Sequence, residues 1–337
     1  MKKVIVLVLV VLFCYEAYNI FVKTTHFKTD HASFEYQQQG LNALADILVA
    51  KKIILDKPNF LLLSKVFKLE NKIKPGKFYV KKNTSLLSLI RMIRNNQQAT
   101  VNFVLNKVRT RGELAKLIEN TIAIDSVTAI AFFNSNDSLA PFKTDTTQLL
   151  TLFIPNTYSI YWSTSLPKLL QKMIDAQQKF WNNNGRLEKA KSIGMTPNEV
   201  YTLASIVEEE CNYASDKKLI ASVYQNRIKK EMPLQACPTI KFAMQNFALT
   251  RIYEKYLSNP SPYNTYRHKG LPPGPICTPS PNTIDLVLNA PKTNYLYFVA
   301  KSDFSGYHHF SATFEEHSKF AKEYQLKLDE YQKRKNN

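Results

Sequence analysis

Residues 196–210 read Thr-Pro-Asn-Glu-Val-Tyr-Thr-Leu-Ala-Ser-Ile-Val-Glu-Glu-Glu and give the clearest structural signal in the chain. Thr196 followed by Glu199 is a capping box, and Pro197 occupies the first helical position, where its missing N–H costs nothing. Apolar residues then recur at helical spacing, at Val200, Leu203, Ala204, Ile206 and Val207. The stretch therefore predicts a helix that begins at residue 197 and packs one face into the protein core.

The three glutamates that end this helix are expected to face different ways. Helical phase places Glu210 within the apolar arc, Glu209 on the opposite side toward water, and Glu208 on the other border of the apolar stripe. A carboxyl group on the apolar side is costly to desolvate, so its pKa should be raised, which suits a general acid near neutral pH. The alternative is a partly buried structural acid that pairs with Arg227 or a lysine.

The chain is strongly basic. Its 337 residues include 45 lysines and arginines against 27 acids, a formal net charge of +18. Such a charge favours binding to nucleic acid, to anionic lipid head groups or to an acidic polymer such as a bacterial wall. The alternative is that it only keeps the protein soluble and has no partner. Nucleic acid is the weakest of these partners, because the basic residues are spread out and no RNP or Cys/His finger pattern occurs.

The N-terminus has the pattern of a membrane anchor. Lys2 and Lys3 precede an almost unbroken apolar run from Val4 to Tyr15, which continues with interruptions to residue 22. Positive charges before an apolar segment mark the cytoplasmic end, so the bulk of the chain is expected on the outer, periplasmic side of the inner membrane. No small-x-small cleavage site follows Cys14, which favours a retained single-pass anchor over a removed signal peptide.

The rest of the chain predicts an α+β protein. Residues 30 to 105 read as a small α/β module with helices at 41–48, 59–67 and 86–94, a turn entering a strand at 73–80, and a strand at 100–105. Downstream, helices are predicted at 110–120, 166–182, 197–210, 215–228, 282–289 and 313–333, and extended segments at 153–158, 295–299 and 308–310. Residues 233–281 are predicted to form loops rich in Pro, Tyr and Asn.

Two segments of this loop region suit a carbohydrate ligand. Pro262-Tyr-Asn-Thr-Tyr266 offers ring faces and amide groups, and Gly270-Leu-Pro-Pro-Gly-Pro-Ile276 would form a stiff wall with little entropy to lose on binding. A rigid loop that packs on the core explains both segments equally well.

The chain has no zinc-binding pattern around His308, His309 or His317 and no recognisable Ser or Cys nucleophile motif, so no metal or cofactor is expected.

Together these motifs resemble the endolytic murein transglycosylases, the MltG or YceG-like family. The resemblance runs in order and spacing through Leu203–Glu210, Ala221-Ser-Val-Tyr-Gln-Asn-Arg227, Leu234-Gln235, Pro238-Thr239, Tyr263–Tyr266, Gly270–Ile276 and Tyr295-Leu-Tyr-Phe-Val-Ala300. Weaker matches at Lys74-Pro-Gly-Lys-Phe-Tyr79 and Phe153-Ile-Pro-Asn-Thr-Tyr158 extend it over nearly the whole chain.

The resemblance implies three parts: a transmembrane anchor at residues 1–25, a LysM-like membrane-proximal module at 26–105, and a larger α+β catalytic domain at 106–337. It implies an enzyme that cuts nascent peptidoglycan strands internally, between N-acetylmuramic acid and N-acetylglucosamine, and leaves a 1,6-anhydro end. This cut would release strands and control their length. Implied partners are the glycan strands, the inner membrane and peptidoglycan synthases.

The resemblance also assigns residues. The family's catalytic glutamate is the third position of its Glu-x-Glu pattern, which is Glu210 here, the residue that helical phase also selects. The expected substrate-binding residues are Gln235, Tyr263, Asn264, Tyr266, Pro273 and Gly274. The expected supporting residues are Glu208, Asn226, Arg227, Thr239 and His308.

The chain departs from the family pattern at three positions. Cys237 and Asn156 stand where the pattern often has Asp, and Ser280 stands where it often has Gly. A Cys237–Cys277 or Cys211–Cys237 disulfide is one conceivable local substitute for the Asp at 237. The departures at Cys237 and Ser280 motivate a second hypothesis, a peptidoglycan-binding scaffold of the cell envelope whose catalysis is impaired.

A single carboxyl suffices for the expected reaction. Neutral Glu210 would protonate the glycosidic oxygen, and the resulting carboxylate would then deprotonate the muramic C6 hydroxyl that attacks C1 within the same sugar. A third hypothesis is a hydrolase that uses Glu208 and Glu210 together, as ordinary glycosidases use two carboxylates. Such a hydrolase would leave water-terminated products.

Overall fold

The structure, a computed structural model, describes residues 2–21, 27–37, 39–249 and 251–336. The described residues form six strands: β1 (His31–Tyr36), β2 (Gly76–Lys81), β3 (Thr100–Leu105), β4 (Asn156–Tyr161), β5 (Tyr297–Ala300) and β6 (His308–Ser311). They also form α1 (Lys2–Phe21), α2 (Leu41–Ala50), α3 (Lys57–Val66), α4 (Leu86–Arg94), α5 (Arg111–Glu119), α6 (Ser126–Phe133), α7 (Asn136–Leu139), α8 (Leu166–Asn182), α9 (Arg186–Ser192), α10 (Pro197–Glu210), α11 (Ala214–Lys229), α12 (Cys237–Ala243), α13 (Glu254–Leu257), α14 (Pro281–Leu288) and α15 (Phe314–Asn336).

The chain divides into two compact units. The N-terminal unit comprises Met1–Phe103, Thr121–Ala123 and Ser159–Ser165, and the C-terminal unit comprises Val104–Asn120, Ile124–Tyr158 and Leu166–Asn337. The described strands form three two-stranded sheets, β1 with β2, β3 with β4 and β5 with β6. Helices with small separate sheets confirm the predicted α+β class.

The N-terminal unit has its own hydrophobic core. Strands β1 and β2 are antiparallel, with His31 opposite Lys81 and Tyr36 opposite Gly76. Their inward faces meet at Phe34 and Phe78, whose rings stack with centroids 5.1 Å apart. Helices α2, α3 and α4 bury Leu44, Leu48, Phe60, Leu89 and Ile90 against this sheet. Ser85 caps α4, because its hydroxyl accepts a hydrogen bond from Ser88 N.

The C-terminal unit is built around α10. Every residue from Val200 to Val207 is buried, so this helix is enclosed on all sides rather than packed on one face as the sequence predicts. The capping box at Thr196 and Glu199 is present as predicted. Polar side chains inside α10 have hydrogen-bond partners in other parts of the chain. Tyr201 donates to Phe153 O at 2.6 Å, and Ser205 Oγ accepts from Ile276 N at 3.0 Å.

Several elements depart from the predicted pattern, and three of them show why. Strand β1 was not predicted although Phe34 and Tyr36 alternate with exposed Glu35, because the alternation covers too few residues to stand out. Helix α9 falls in a stretch with no predicted element. Helix α12 lies in the segment predicted to be loop, although Pro238 in its first turn is a helix-start signal that could have revealed it.

The predicted membrane anchor corresponds to α1. Residues 1 and 22–26 lie outside the described residues, and a search of the described ones finds no helix with the length and apolar character that crossing a bilayer requires. The uninterrupted apolar run ends at Tyr15, before Glu16 and Asn19. The anchor and the predicted boundaries at residues 25 and 105 therefore stay predictions.

Candidate active site

Glu210 is the last residue of α10 and is only partly exposed. Tyr224, which is 1% exposed on α11, donates a hydrogen bond of 2.5 Å from its hydroxyl to Glu210 Oε1. Tyr224 is the only hydrogen-bond partner of this carboxyl among the described residues. Glu210 forms no ion pair with the described residues, which argues against the alternative of a structural acid paired with Arg227 or a lysine.

The surroundings of Glu210 favour its protonated form. Burial raises the pKa of Glu210 to about 7, with a further contribution from the negative charge of Glu209. The Tyr224 hydrogen bond and the positive charge of Lys241 act in the opposite direction. Burial and the neighbouring Glu210 raise the pKa of Tyr224 well above its ordinary value, so this phenol stays a donor. Because Tyr224 donates to Oε1, Oε2 is left to carry the proton of the neutral acid.

Glu210 opens into a cavity of about 280 Å³ within the C-terminal unit. The cavity is lined by Glu210, Arg227, Leu234, Gln235, Cys237, Tyr266, Phe298 and His317. The predicted residues Glu210, Gln235, Tyr266 and Arg227 are thus brought together. Glu210 is the only carboxylate among these lining residues, so a pair of carboxylates does not face a common ligand here.

Arg227 is 7% exposed and bonded to carbonyl oxygens rather than to a carboxylate. Its Nε donates to Leu296 O at 2.6 Å, and its Nη1 donates to Leu234 O at 3.0 Å and to Gln235 Oε1 at 3.2 Å. Gln235 has a φ of 54°, a left-handed conformation for a residue with a side chain. Arg227 therefore fixes the amide orientation of Gln235 at the wall of the cavity.

Cys237 stands at the first position of α12, opposite Tyr266. Its Sγ lies 3.2 Å from the Tyr266 hydroxyl, and burial raises the pKa of the thiol, so Cys237 is neutral at pH 7. Cys14, Cys211, Cys237 and Cys277 are all free thiols. Neither disulfide suggested from the sequence forms, and a thiol-to-hydroxyl contact occupies the place where the family pattern often has a carboxylate.

Glu208 and Glu209 are both held by cations. Glu208 Oε2 accepts from Lys217 Nζ at 2.9 Å and from the Thr283 hydroxyl, and Ser280 Oγ lies 3.3 Å away. Burial alone would raise the pKa of Glu208, but the hydrogen bonds from Thr283 and Lys217 outweigh it and lower the pKa below its ordinary value. Glu208 does not line the Glu210 cavity, which argues against the two-carboxylate hydrolase.

The prediction that Glu209 faces water is wrong. Its carboxylate pairs with Lys107 at 2.9 Å and with Arg109 Nη2 at 3.0 Å, and its side chain is 15% exposed. The segment that carries Lys107 and Arg109 lies a hundred positions earlier in the chain, so helical phase had no means of revealing it. Ser280, the third departure from the family pattern, caps α14 by accepting from Thr283 N at 3.2 Å.

Four residues predicted to bind substrate do not line the Glu210 cavity. Asn264 is fully buried, and its amide donates to Leu257 O and Asn259 O, so it holds the loop together. Gly274 packs so closely on Thr147 that an added Cβ would lie 2.1 Å from the Thr147 carbonyl oxygen. Exposed Pro273 accepts a hydrogen bond from Gln148 through its carbonyl. Tyr263 lies outside the Glu210 cavity and contacts Phe242, with ring centroids 4.6 Å apart.

The supporting residues hold elements around the cavity. The Asn226 amide donates to Thr293 O and Tyr295 O at 2.9 Å each and fastens α11 to the segment before β5. Buried Thr239 lies 2.9 Å from Thr265 Oγ1, which fixes α12 to the loop. His308 Nδ1 lies 3.0 Å from Asp216 Oδ2. None of these three side chains lines the cavity.

Sequence reasoning missed two residues of the candidate site. It did not anticipate the contact between Tyr224 and Glu210. It gave no role to His317, which lines the cavity and is stacked on Tyr297 with ring centroids 5.3 Å apart. Burial lowers the pKa of His317, so it is neutral at pH 7. The described residues include no group of His, Cys, Asp and Glu side chains suited to a metal ion.

A family model described as YceG-like family matches residues 36–323. The chain belongs to the YceG-like family. This confirms the family predicted from the motifs around Glu210.

Two relatives carry the name endolytic murein transglycosylase. The chain is 40% identical to one from Streptococcus pneumoniae serotype 2 strain D39 over 150 residues, 43% of this chain and 27% of the relative. It is 37% identical to one from Bacillus subtilis strain 168 over 161 residues, 48% of this chain and 43% of the relative. The chain thus matches less than half the length of these relatives.

A crystal structure of a YceG-like protein from Listeria monocytogenes shares the fold. Its TM-score to this chain is 0.57 at 24% sequence identity, covering 86% of this chain and 98% of that one. The YceG-like architecture therefore extends over most of the described residues.

The raised pKa of Glu210 gives a stability prediction. Below about pH 4.5 the carboxyl is protonated in both folded and unfolded chains, whereas above pH 7 the folded chain bears the cost of a desolvated carboxylate. Glu210→Gln removes that cost, so we expect it to raise the free energy of unfolding at pH 8 by about 2 kcal/mol and to change it little at pH 4. Urea denaturation at the two pH values measures this.

Glu208→Gln is the matched control for that experiment. The pKa of Glu208 is lowered in the folded chain, so its carboxylate stabilises the fold above the pKa of the unfolded chain. We expect Glu208→Gln to lower the free energy of unfolding at pH 8 by about 1–3 kcal/mol, the opposite sign. Equal effects of the two substitutions at pH 8 would contradict the different environments of Glu208 and Glu210.

Tyr224→Phe tests the hydrogen bond to Glu210 directly. The Tyr224 hydroxyl stabilises the Glu210 carboxylate, so its removal should move the pKa of Glu210 upward. The measurement is a carbon-13 NMR titration of labelled glutamate carboxyls, with the Glu210 signal assigned from Glu210→Gln. Tyr201→Phe removes another buried hydroxyl, one that bonds Phe153 O, and should leave the Glu210 titration in place. An unchanged or lower midpoint in Tyr224→Phe would refute the contact.

Proposed function

We propose that this chain is an endolytic lytic transglycosylase that cleaves the bond between N-acetylmuramic acid and N-acetylglucosamine in peptidoglycan strands. The observation that carries the proposal is a cavity with one carboxyl group, Glu210, whose pKa of about 7 suits an acid that must also serve as a base. Membership of the YceG-like family and the names of the two relatives support it.

The reaction begins with proton transfer to the leaving group. Neutral Glu210 donates its proton from Oε2 to the glycosidic oxygen as the bond to C1 of the muramic sugar breaks, which releases the hydroxyl of the next sugar. The C6 hydroxyl of the same muramic residue then attacks C1 and closes the 1,6-anhydro ring. Glu210, now a carboxylate, takes the proton from that hydroxyl and returns to its starting form.

This chemistry needs no second carboxylate, because no water molecule has to be activated. Hydrolytic glycosidases place a second carboxylate beside the scissile bond to activate water or form a covalent intermediate. Here the nucleophile belongs to the bound sugar, so positioning replaces activation. Gln235 and Tyr266 offer the amide and phenol groups that would orient the sugar, and Arg227 keeps Gln235 in place.

We also propose that the apolar N-terminal segment anchors the chain in the inner membrane, with the LysM-like N-terminal unit next to the bilayer and the C-terminal unit on the outer side. Lys2 and Lys3 before the run Val4–Tyr15 support the orientation. Because the anchor would hold the protein at the membrane, strand cleavage would take place close to the site of strand synthesis. Peptidoglycan synthases are then candidate partners.

Product analysis tests the reaction. Purified peptidoglycan strands are incubated with the full chain, with Glu210→Gln and with Glu188→Gln, which alters an exposed acid on α9. We expect internal fragments that end in 1,6-anhydro-muramic acid with the unaltered chain and the Glu188 variant. Loss of the general acid should slow cleavage by about 100-fold or more.

The products also separate the alternatives. Reducing ends formed by the addition of water would show that the protein is a hydrolase and not a transglycosylase. Intact strands with every protein, together with retained strand binding, would replace it by the wall-binding scaffold.

Membrane fractionation tests the anchor. We expect the full chain to sediment with membranes and to resist extraction with 1 M salt, since an inserted apolar helix does not depend on charge (at about 1 M salt the Debye length falls to about 3 Å). A truncated protein of residues 26–337, which lacks the apolar segment, should stay in the supernatant. Release of the full chain by salt would show that its +18 charge, rather than the apolar segment, holds it at the membrane.

A further inference from the structure

A second cavity of about 550 Å³ lies in the C-terminal unit and is not used by the reaction described above. Basic, hydroxyl and amide side chains line it, among them Arg109, Arg111, Asn134, Thr147, Gln245 and Tyr263. Tyr263, which the sequence assigned to the substrate, is therefore part of this cavity and not of the Glu210 cavity. Its chemistry suits an anionic ligand that also carries polar groups.

Arg111 is the cation in this cavity that the protein leaves available. Arg109 is paired with Glu209, whereas Arg111 forms no ion pair with the described residues and bonds only to Phe133 O at 3.4 Å. Of the nearby acids, Glu113 accepts from Arg109 N at 2.7 Å, and Asp145 accepts from Thr147 N and Gln148 N. These carboxylates are held by backbone N–H groups and neither forms an ion pair with Arg111, so among the described residues the guanidinium keeps donors free for a ligand.

Helix α12 links the two cavities. Its first residue, Cys237, lines the Glu210 cavity, and its last, Ala243, lines the Arg111 cavity. Between them a smaller cavity of about 120 Å³ is lined by Pro238, Lys241 and Phe242 of the same helix. Phe242 and Arg109 line both this small cavity and the larger one. Residues of one helix therefore line all three cavities, and a polymer held at Glu210 would have to follow α12 to reach Arg111.

We propose that the Arg111 cavity binds a free carboxylate of the peptide stem carried by the glycan strand while Glu210 acts on the strand. This assignment rests on the proposed function, since it takes peptidoglycan as the substrate. Each stem peptide ends in a carboxylate, and a guanidinium group recognises a carboxylate by two parallel hydrogen bonds. The Tyr263 ring and the Thr147 hydroxyl offer additional contacts to the peptide. The site would make the enzyme prefer strands that still carry their stems.

The test measures binding separately from cleavage. Glu210→Gln and Glu210→Gln with Arg111→Gln, both in the full chain, are titrated with soluble strands that carry stem peptides and with strands whose stems an amidase has removed. We expect Arg111→Gln to weaken binding of stem-bearing strands by about 10- to 100-fold and to leave stem-free strands unaffected. Arg251→Gln, an exposed arginine outside the cavity, should change neither.

Two further measurements keep the test independent of folding. Arg111→Lys keeps the charge but loses the paired geometry, so we expect an intermediate loss of binding. Strands whose stem carboxylates have been amidated should bind Glu210→Gln as weakly as unmodified stem-bearing strands bind the double variant. Equal weakening of stem-bearing and stem-free strands, or unchanged binding of amidated stems, would overturn the proposal. If the unaltered chain does not cleave strands but the stem dependence of binding persists, the reaction fails and the carboxylate site stands.

Discussion

Three consecutive carboxylates stand at the C-terminal end of a fully enclosed helix, where the helix dipole is already negative. Left to themselves, Glu208, Glu209 and Glu210 would repel one another and destabilise the end of α10. The C-terminal unit compensates two of them with cations from other elements: Lys217 of α11 for Glu208, and Lys107 with Arg109 for Glu209. These ion pairs tie α10 to α11 and to the segment that leads into α5.

Glu210 is the exception, and its position gives it different chemistry. A phenol replaces the cation, so the carboxyl is held in place by Tyr224 without the full stabilisation of its charge. The negative charge of Glu209 next to it and the surrounding burial both raise the pKa of Glu210. The compensated neighbours thus allow one uncompensated acid to exist at the helix end. The buried Glu210 carboxylate lowers the free energy of unfolding above pH 7, a cost that is common where a site holds a group ready to transfer a proton.

The sequence predicted the helices of this region well and the partners of their side chains poorly. Helical phase selected Glu210 because the apolar arc of α10 is a local property of residues 200–210. It misplaced Glu209 because a solvent-facing phase becomes an interface once Lys107 and Arg109 pack there. The Tyr224 contact depends on the relative rotation of α10 and α11, which no periodicity encodes. Tertiary packing, not local propensity, decided these outcomes.

The loop residues show the same limit from another side. Tyr, Asn, Pro and Gly were read as groups that meet a sugar, yet Asn264 satisfies loop carbonyls and Gly274 allows close packing on Thr147. The end of this loop is fixed to the core, because Ser205 inside α10 accepts a hydrogen bond from Ile276 N. The same loop fixes Tyr263 in one cavity and Tyr266 in the other. The loop therefore contributes to both the Glu210 cavity and the cavity proposed for the peptide stem, so a polymer that occupied both would have to match the distance between them as well as their chemistry.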